Sequence, residues 1–241
     1  MCIASAACFG AMAIFGKLAY DDGATVGTLL AVRFILAAAM FWVLVAASRE
    51  LRTLSRPDIV TGLAMGGCGY ALQAGCYFAA LQRIDASLLS LLVFTFPAIV
   101  AAAAVALGRE RIDRRRAGAL ALASAGLALV VAGAGTGAVD PLGAALGIGA
   151  AVVYSTYILV GERVAGRINP RVLSALVCTG AAVPLTAGSA LVGDLRPGEL
   201  TVAAWGWLAA LAAVSTVASI SLFFAGLKRV GPTTASILAT V

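Results

Sequence analysis

The sequence predicts an all-α membrane protein, a polytopic helical bundle of two inverted five-helix repeats of which the second is incomplete. Three observations predict it. First, 62% of residues are hydrophobic and 12% charged, with a mean hydropathy of +1.02. A soluble domain carries about a quarter charged residues, so lipid must solvate this surface. Second, the apolar residues come in span-length blocks rich in Ala, Leu and Val, without period-2 alternation. Lipid admits only helices or closed barrels, and these blocks read as helices. Third, a stretch around Leu81 recurs around Leu227, an offset of 146 residues.

Spans are expected at about 1–20, 25–47, 59–80, 86–107, 117–134, 141–161, 171–192 and 203–226, from roughly 20 residues per crossing. The first lacks a basic leader and is followed by more spans of the same kind, so it does not read as a secretory signal. It ends at Asp21 and Asp22. The second carries Arg33 and ends at Arg49, Arg52 and Arg56. The third ends at Arg83 and Asp85. The fourth holds Pro97 and runs into RERIDRRR, residues 109–116. The fifth ends before Asp140, and the sixth runs from there to Arg163 and Arg167. The seventh holds Pro184 and ends at Asp194, Arg196 and Glu199. The eighth ends at Lys228 and Arg229. A ninth apolar piece starts near Thr233 and stops at Val241, ~14 Å of helix or half a bilayer. The expectation is therefore about eight full spans plus a partial ninth.

The even-numbered loops hold 13 Lys/Arg and the odd-numbered loops 2. The positive-inside rule puts the even loops and the N-terminus in the cytoplasm, in an inner or plasma membrane. Orientation thus explains the net charge of +6. A nucleic-acid partner is not expected, because the basic residues are dispersed over short loops.

The repeat matches YFAALQRI, residues 77–84, to FFAGLKRV, residues 223–230, and Ser90 to Ser236 and Leu92 to Leu238. Gly16-Lys17 falls on Gly161-Glu162 at an offset of 145. Five spans separate the copies, an odd number, so the second is expected upside down. Inverted repeats are a construction of secondary transporters, with the substrate site between the halves near the midplane. The two units are expected at 1–134 (spans one to five) and 139–241 (spans six to eight and part of nine). A full second unit would run to about residue 280, ~40 residues beyond Val241, so a truncated second half is expected.

Arg33 within AVRF, the stretch AALQRIDASLLSLLVFTFPAIVAAAAVALGRE and its counterpart GLKRVGPTTASIL resemble the EamA family of the drug/metabolite transporter superfamily. The resemblance covers essentially the whole chain. It implies ten helices in two inverted five-helix repeats around a central cavity. It implies movement of small metabolites, often export, by alternating access. In the family a Glu-Pro pair and a tenth span would follow the second signature. The motifs are nearly silent on substrate.

Arg33 is the sharpest candidate site residue. It lies ~13 Å deep, too far for easy snorkelling, and an intramembrane charge usually faces a cavity or a partner. Its partner is a helix-end acid, a backbone carbonyl or an anionic group of the substrate; the alternative is an arginine that only packs helices together. Lys17 stands one turn from Asp21, within i,i+4 pairing distance. Lys17, Glu110 and Glu162 are gate or helix-end candidates. Tyr70, Gln73 and Tyr77 share one face of the third span, and Tyr154 and Tyr157 one face of the sixth. Polar aromatic faces suit a metabolite cavity, and equally interhelical hydrogen bonding. Pro97 and Pro184 are helix-break candidates. Gly62-xxx-Gly66 and Gly143-xxx-Gly147 predict close helix packing.

The five cysteines are dispersed and there is no histidine. No metal or cofactor is expected, and no catalytic residue: the chain has no ATP-binding loop, nucleophile elbow or paired carboxylates. The expected function is secondary transport, in the exporting direction, of small organic metabolites such as amino acids, with the lipid bilayer and the substrate as partners. A homodimer is compatible with it. The alternative is a truncated, non-transporting scaffold or fragment.

Overall fold

The computed structural model describes residues 1–48, 55–108, 140–165 and 167–231, with short pieces at 117–118, 121–122, 125–126, 234–235 and 238. Seven long helical runs stand among the described residues. They are α1 (Cys2–Asp21), α2 (Val26–Ser48), α3 (56–81), α4 (Ala86–Ala106), α5 (Pro141–Ala165), α6 (Pro170–Leu191) and α7 (202–230). The last three answer to the sixth, seventh and eighth expected spans. Polar caps mark the starts. Ser55 accepts from the Asp58 N–H, Asn169 from Arg171, and Thr201 from Ala204, each satisfying a first-turn donor that the helix leaves open.

Six of these helices are long and apolar enough to cross a membrane, fewer than the eight full spans expected. The helix missing from that set is α3. It is long enough, but Tyr70, Gln73, Tyr77 and a run of glycines replace the usual Leu and Val. The expected fifth span and ninth piece fall mostly outside the described residues. The outer surface is apolar: Ile14 is 61% and Val43 69% exposed. Helices with such flanks are solvated by lipid.

Side-chain contacts give each pairing its direction. α2 and α6 run antiparallel: the Gly27 N–H donates to Asp194 Oδ2 at 2.6 Å near one end, and Trp42 Nε1 donates to Thr179 Oγ1 at 2.9 Å toward the other. α1 runs antiparallel to α7, with Trp207 Nε1 donating to Asp22 Oδ2 at 2.9 Å and Ser5 Oγ to the Ser219 carbonyl at 2.8 Å. α3 runs antiparallel to α5, where Gly143 meets Ile84 and Gly161 meets Met65. α4 lies along α5, and Ser155 Oγ donates to the Phe96 carbonyl at 3.3 Å.

Both small-residue motifs sit at such contacts. A Cβ on Gly66 would collide with the Val177 carbonyl, and one on Gly62 would stand 2.8 Å from Leu176 Cβ. Gly143 and Gly147 receive Ile84, Leu89 and Leu92. Without a hydrophobic force between helices in lipid, this close approach is what holds them.

One end of the bundle gathers Asp22, Arg83, Asp140 and Asp194. Gly193, with φ +71°, ends α6 in a conformation that favours glycine and turns Asp194 back toward α2. Arg83 Nη1 lies 3.2 Å from Asp140 Oδ2. The Leu142 N–H, and after it Arg83, hold the Asp140 carboxyl below the usual carboxylate range. Arg229 stands at the opposite end. Its neighbour Leu227 lies beside Gly161, whereas Arg83 lies beside Gly143, and that length of α5 is ~27 Å.

The two prolines differ. α4 breaks at Phe94–Thr95, just before Pro97, and Thr95 Oγ1 donates to the Leu92 carbonyl at 2.7 Å. Pro184 does not break its helix: α6 is continuous through it. The carbonyl four residues back, on Gly180, loses its N–H partner and lies against Gly67 of α3. A membrane helix packed on its neighbours tolerates that one missing bond.

Candidate functional site

Two π-helical turns frame the centre of the bundle: Met65–Tyr70 in α3 and Ala213–Ala218 in α7. A π-turn inserts a residue into the helix and disturbs the regular hydrogen-bond ladder. In α7 the Thr216 hydroxyl makes use of that. It donates to the Leu211 carbonyl, five residues back, at 3.1 Å and accepts from Arg33 Nε at 2.7 Å. In α3 the turn ends at Tyr70, whose ring meets Phe34 edge-on at 5.3 Å and whose hydroxyl lies beside the Arg33 guanidinium.

Arg33 is 1% exposed. Its guanidinium carbon sits 5.1 Å from the ring centre of Phe34 and 5.3 Å from that of Phe78, within cation–π range. Tyr77 and Cys178 are also near neighbours. Nη2 is buried without a hydrogen-bond partner. Among the described residues, no carboxylate pairs with Arg33. Three routes to stabilise a buried cation are thus in use (a hydroxyl, two aromatic faces and a phenol), and one donor stays open.

In front of Tyr70 and Tyr77 lies a cavity of about 90 Å³ between α1, α3, α4 and α5. Its polar lining comes from Tyr70, Gln73, Tyr77, Ser90 and Tyr154, and its apolar lining from Phe9, Met12, Val93, Phe94 and Phe96. The break in α4 brings Phe94 and Phe96 to the wall. Arg33 does not line the cavity; it stands behind the two tyrosines. The volume falls below the ~300 Å³ at which ordinary ligand pockets begin. It suits a molecule of few atoms, or a conformation closed around nothing larger.

The face expected from Tyr70, Gln73 and Tyr77 therefore does line one cavity, and Tyr154 joins it. Tyr157 does not. It lines a separate groove of about 440 Å³ on the outer side of α3 and α5, with Cys68, Leu72 and Val152. Its ring still bridges the two sides, 5.4 Å from Tyr70 and 6.3 Å from Tyr154. Lys17 is half-buried near the C-terminal end of α1, and no ion pair joins it to Asp21 among the described residues. Glu110 and the side chain of Glu162 lie outside the described residues.

Two features escaped the sequence reading. Thr216, the hydroxyl that holds Arg33, is one. A signal for it existed: residues 70 and 216 differ by 146, the offset of the internal match. The other is a clasp between the start of α2 and the end of α6. Thr25 and Thr28 donate to the Asp194 carbonyl, Gly27 N–H donates to its carboxylate, and the Arg196 N–H donates to Thr28 Oγ1 at 2.8 Å. Short polar residues at span ends are too common to single these out by sequence.

The comparisons with known proteins agree with this fold. A search of curated proteins found no match. The chain is similar to a protein of known crystal structure at a TM-score of 0.75, with 19% identity, over 99% of this chain and 82% of the other. At that identity the likeness concerns the fold alone. The family model for EamA-like transporters matches residues 1–132 and, separately, 141–241. Together the two matches cover nearly the whole sequence, and the chain belongs to the EamA-like transporter family.

Proposed function

We propose that this membrane protein is a secondary transporter that exports small organic metabolites, amino acids or related compounds among them, by alternating access through the central cavity. The observation that carries the reading is the cavity itself: a small chamber lined by both polar aromatic and apolar side chains, with a buried arginine beside two of its tyrosines. Such a chamber holds a molecule with a polar end and a short apolar body.

Two inverted units, 1–134 and 139–241, are part of the proposal. The separate family matches support it. So do the reciprocal pairings: α1 against α7 mirrors α5 against α3, and α2 meets α6, its own counterpart. The π-turns fall in α3 and α7, which are counterparts as well. Arg83 and Arg229 at opposite ends fit an upside-down second copy. With the N-terminus in the cytoplasm, the clasp at Asp194 closes the external end, and transport requires it to open.

Reconstitution of the full chain in proteoliposomes tests this. Saturable flux of small metabolites is expected, sensitive to Gln73→Leu and to Tyr77→Phe. Absence of any saturable, mutation-sensitive flux would favour the alternative, a non-transporting membrane scaffold.

A further inference from the structure

We infer that Arg33, with the Tyr70 and Tyr77 hydroxyls in front of it, is the subsite for the carboxylate of a singly charged, short-bodied organic anion. The inference rests on the transport reading only in treating the cavity as the place where substrate sits.

Three observations lead there. Arg33 Nη2 is a fully buried donor with no acceptor, and an unmade hydrogen bond from a buried charged group is costly. Its Nε is already taken by Thr216 at 2.7 Å, which fixes the guanidinium behind Tyr70 and Tyr77 with its charge unbalanced. A carboxylate in the chamber supplies the missing negative charge and accepts from the phenol hydroxyls that stand between it and the guanidinium.

The second observation is charge. Among the described residues, Asp and Glu stand only at helix ends, and none pairs with Arg33. The occupied site is electrically balanced by one negative charge. A zwitterion would bring a carboxylate and an ammonium together and leave the positive charge uncompensated. A neutral amide can accept a hydrogen bond but leaves the charge of Arg33 unbalanced, and an ammonium is repelled by it.

The third is the wall. Tyr70 and Tyr77 both line the cavity and both neighbour Arg33, so the charge reaches the chamber through two phenols rather than through packed hydrocarbon. Phe9, Val93 and Phe96 of the same lining accept an apolar body. The small chamber keeps that body short.

Thermal unfolding of the purified full chain at neutral pH, with millimolar probes of one shape, tests the subsite. The probes are 4-methylpentanoate, 4-methylpentanamide, isopentylamine and leucine. The acid should raise Tm and bind about tenfold to hundredfold tighter than the amide, the range of a charge-assisted hydrogen bond. Leucine should bind more weakly than the acid, and the amine should give no shift. Arg33→Lys should keep the preference at lower affinity, and Arg33→Gln should abolish it. Should either variant fail to fold, the ranking of probes on the unaltered protein decides alone. Equal shifts from acid and amide, no shift with the acid, leucine binding as tightly as the acid, or undiminished acid binding by Arg33→Gln would each overturn the inference. Carboxylate-selective binding without flux in proteoliposomes removes transport and leaves the subsite. Saturable flux indifferent to the carboxylate does the reverse.

Discussion

Replacing Thr216 by Val removes one hydroxyl and keeps the shape of the side chain, so no cavity opens. Two hydrogen bonds go with it. Arg33 Nε loses its acceptor at 2.7 Å, and the Leu211 carbonyl in the π-turn loses its donor at 3.1 Å. A hydrogen bond to a charged group contributes about 1.5–3 kcal/mol and a neutral one about 1 kcal/mol. Polar contacts between membrane helices average nearer ~0.6 kcal/mol, because separated helices find other partners. Arg33 has no spare acceptor nearby, since Nη2 already lacks one, so the loss should lie toward the upper range, about 2–4 kcal/mol. For a chain of this size that corresponds to a fall in Tm of about 5–15 °C. Thermal unfolding in detergent reads it directly. Thr216→Ser keeps the hydroxyl and should stay near the unaltered protein. In an Arg33→Met background, Thr216→Val should cost only the Leu211 part, about 1 kcal/mol. The reasoning is refuted if Thr216→Val unfolds at the same temperature as the unaltered protein, or if Thr216→Ser falls as far as Val.

Three further outcomes follow from the geometry. Gly66→Ala drives a Cβ into the Val177 backbone where α3 crosses α6, so it should destabilise by about 1–3 kcal/mol. Gly75→Ala on the same helix meets nothing within 4 Å and should be neutral or stabilising by up to ~1 kcal/mol; a ranking in the other order in the same melts would contradict the packing. Asp194→Ala cuts the clasp on α2 and should speed labelling of a Val26→Cys probe by an impermeant maleimide several-fold; an unchanged rate would show that the clasp does not close that end. The Asp140 carboxyl sits below its ordinary range in the folded protein, so its contribution is complete above the unfolded value near ~4 and is lost as pH falls through the lower folded value. The Tm difference between the unaltered protein and Asp140→Asn should therefore stay constant from about pH 7 to 5 and shrink only below ~4; a change between pH 7 and 5 would assign it to another group.

Much of the architecture was legible because hydropathy reports the solvent. Twenty apolar residues between charged loops can only be a crossing, and α1, α2, α5, α6 and α7 lie close to the expected boundaries. The third span, expected at 59–80, is also helical, from 56 to 81; its polar residues are buried in the interior, which makes it too polar on average to count as a crossing by hydropathy. Helical spacing put Tyr70, Gln73 and Tyr77 on one face, and they do share one cavity. The i,i+3 spacing put Tyr154 and Tyr157 on one face, where their rings stack at 6.3 Å, but which cavity each borders depends on the neighbouring helices: Tyr154 lines the inner cavity and Tyr157 the outer groove.

By itself the sequence determined that the chain lives in lipid, where its helices begin and end, and that Arg33 is carried into the interior. These follow from local chemistry: apolar length, the charges that bound it, and the cost of a charge in hydrocarbon. Only the tertiary structure decided which groups Arg33 meets. Thr216 lies 183 residues away along the chain. Two π-turns and the glycine crossing of α3 on α6 set the registers that bring Tyr70 and Thr216 to it. Hydrogen-bond partners across helices depend on displacements of an ångström or two, fixed by packing over the whole bundle, and no stretch of local sequence encodes them.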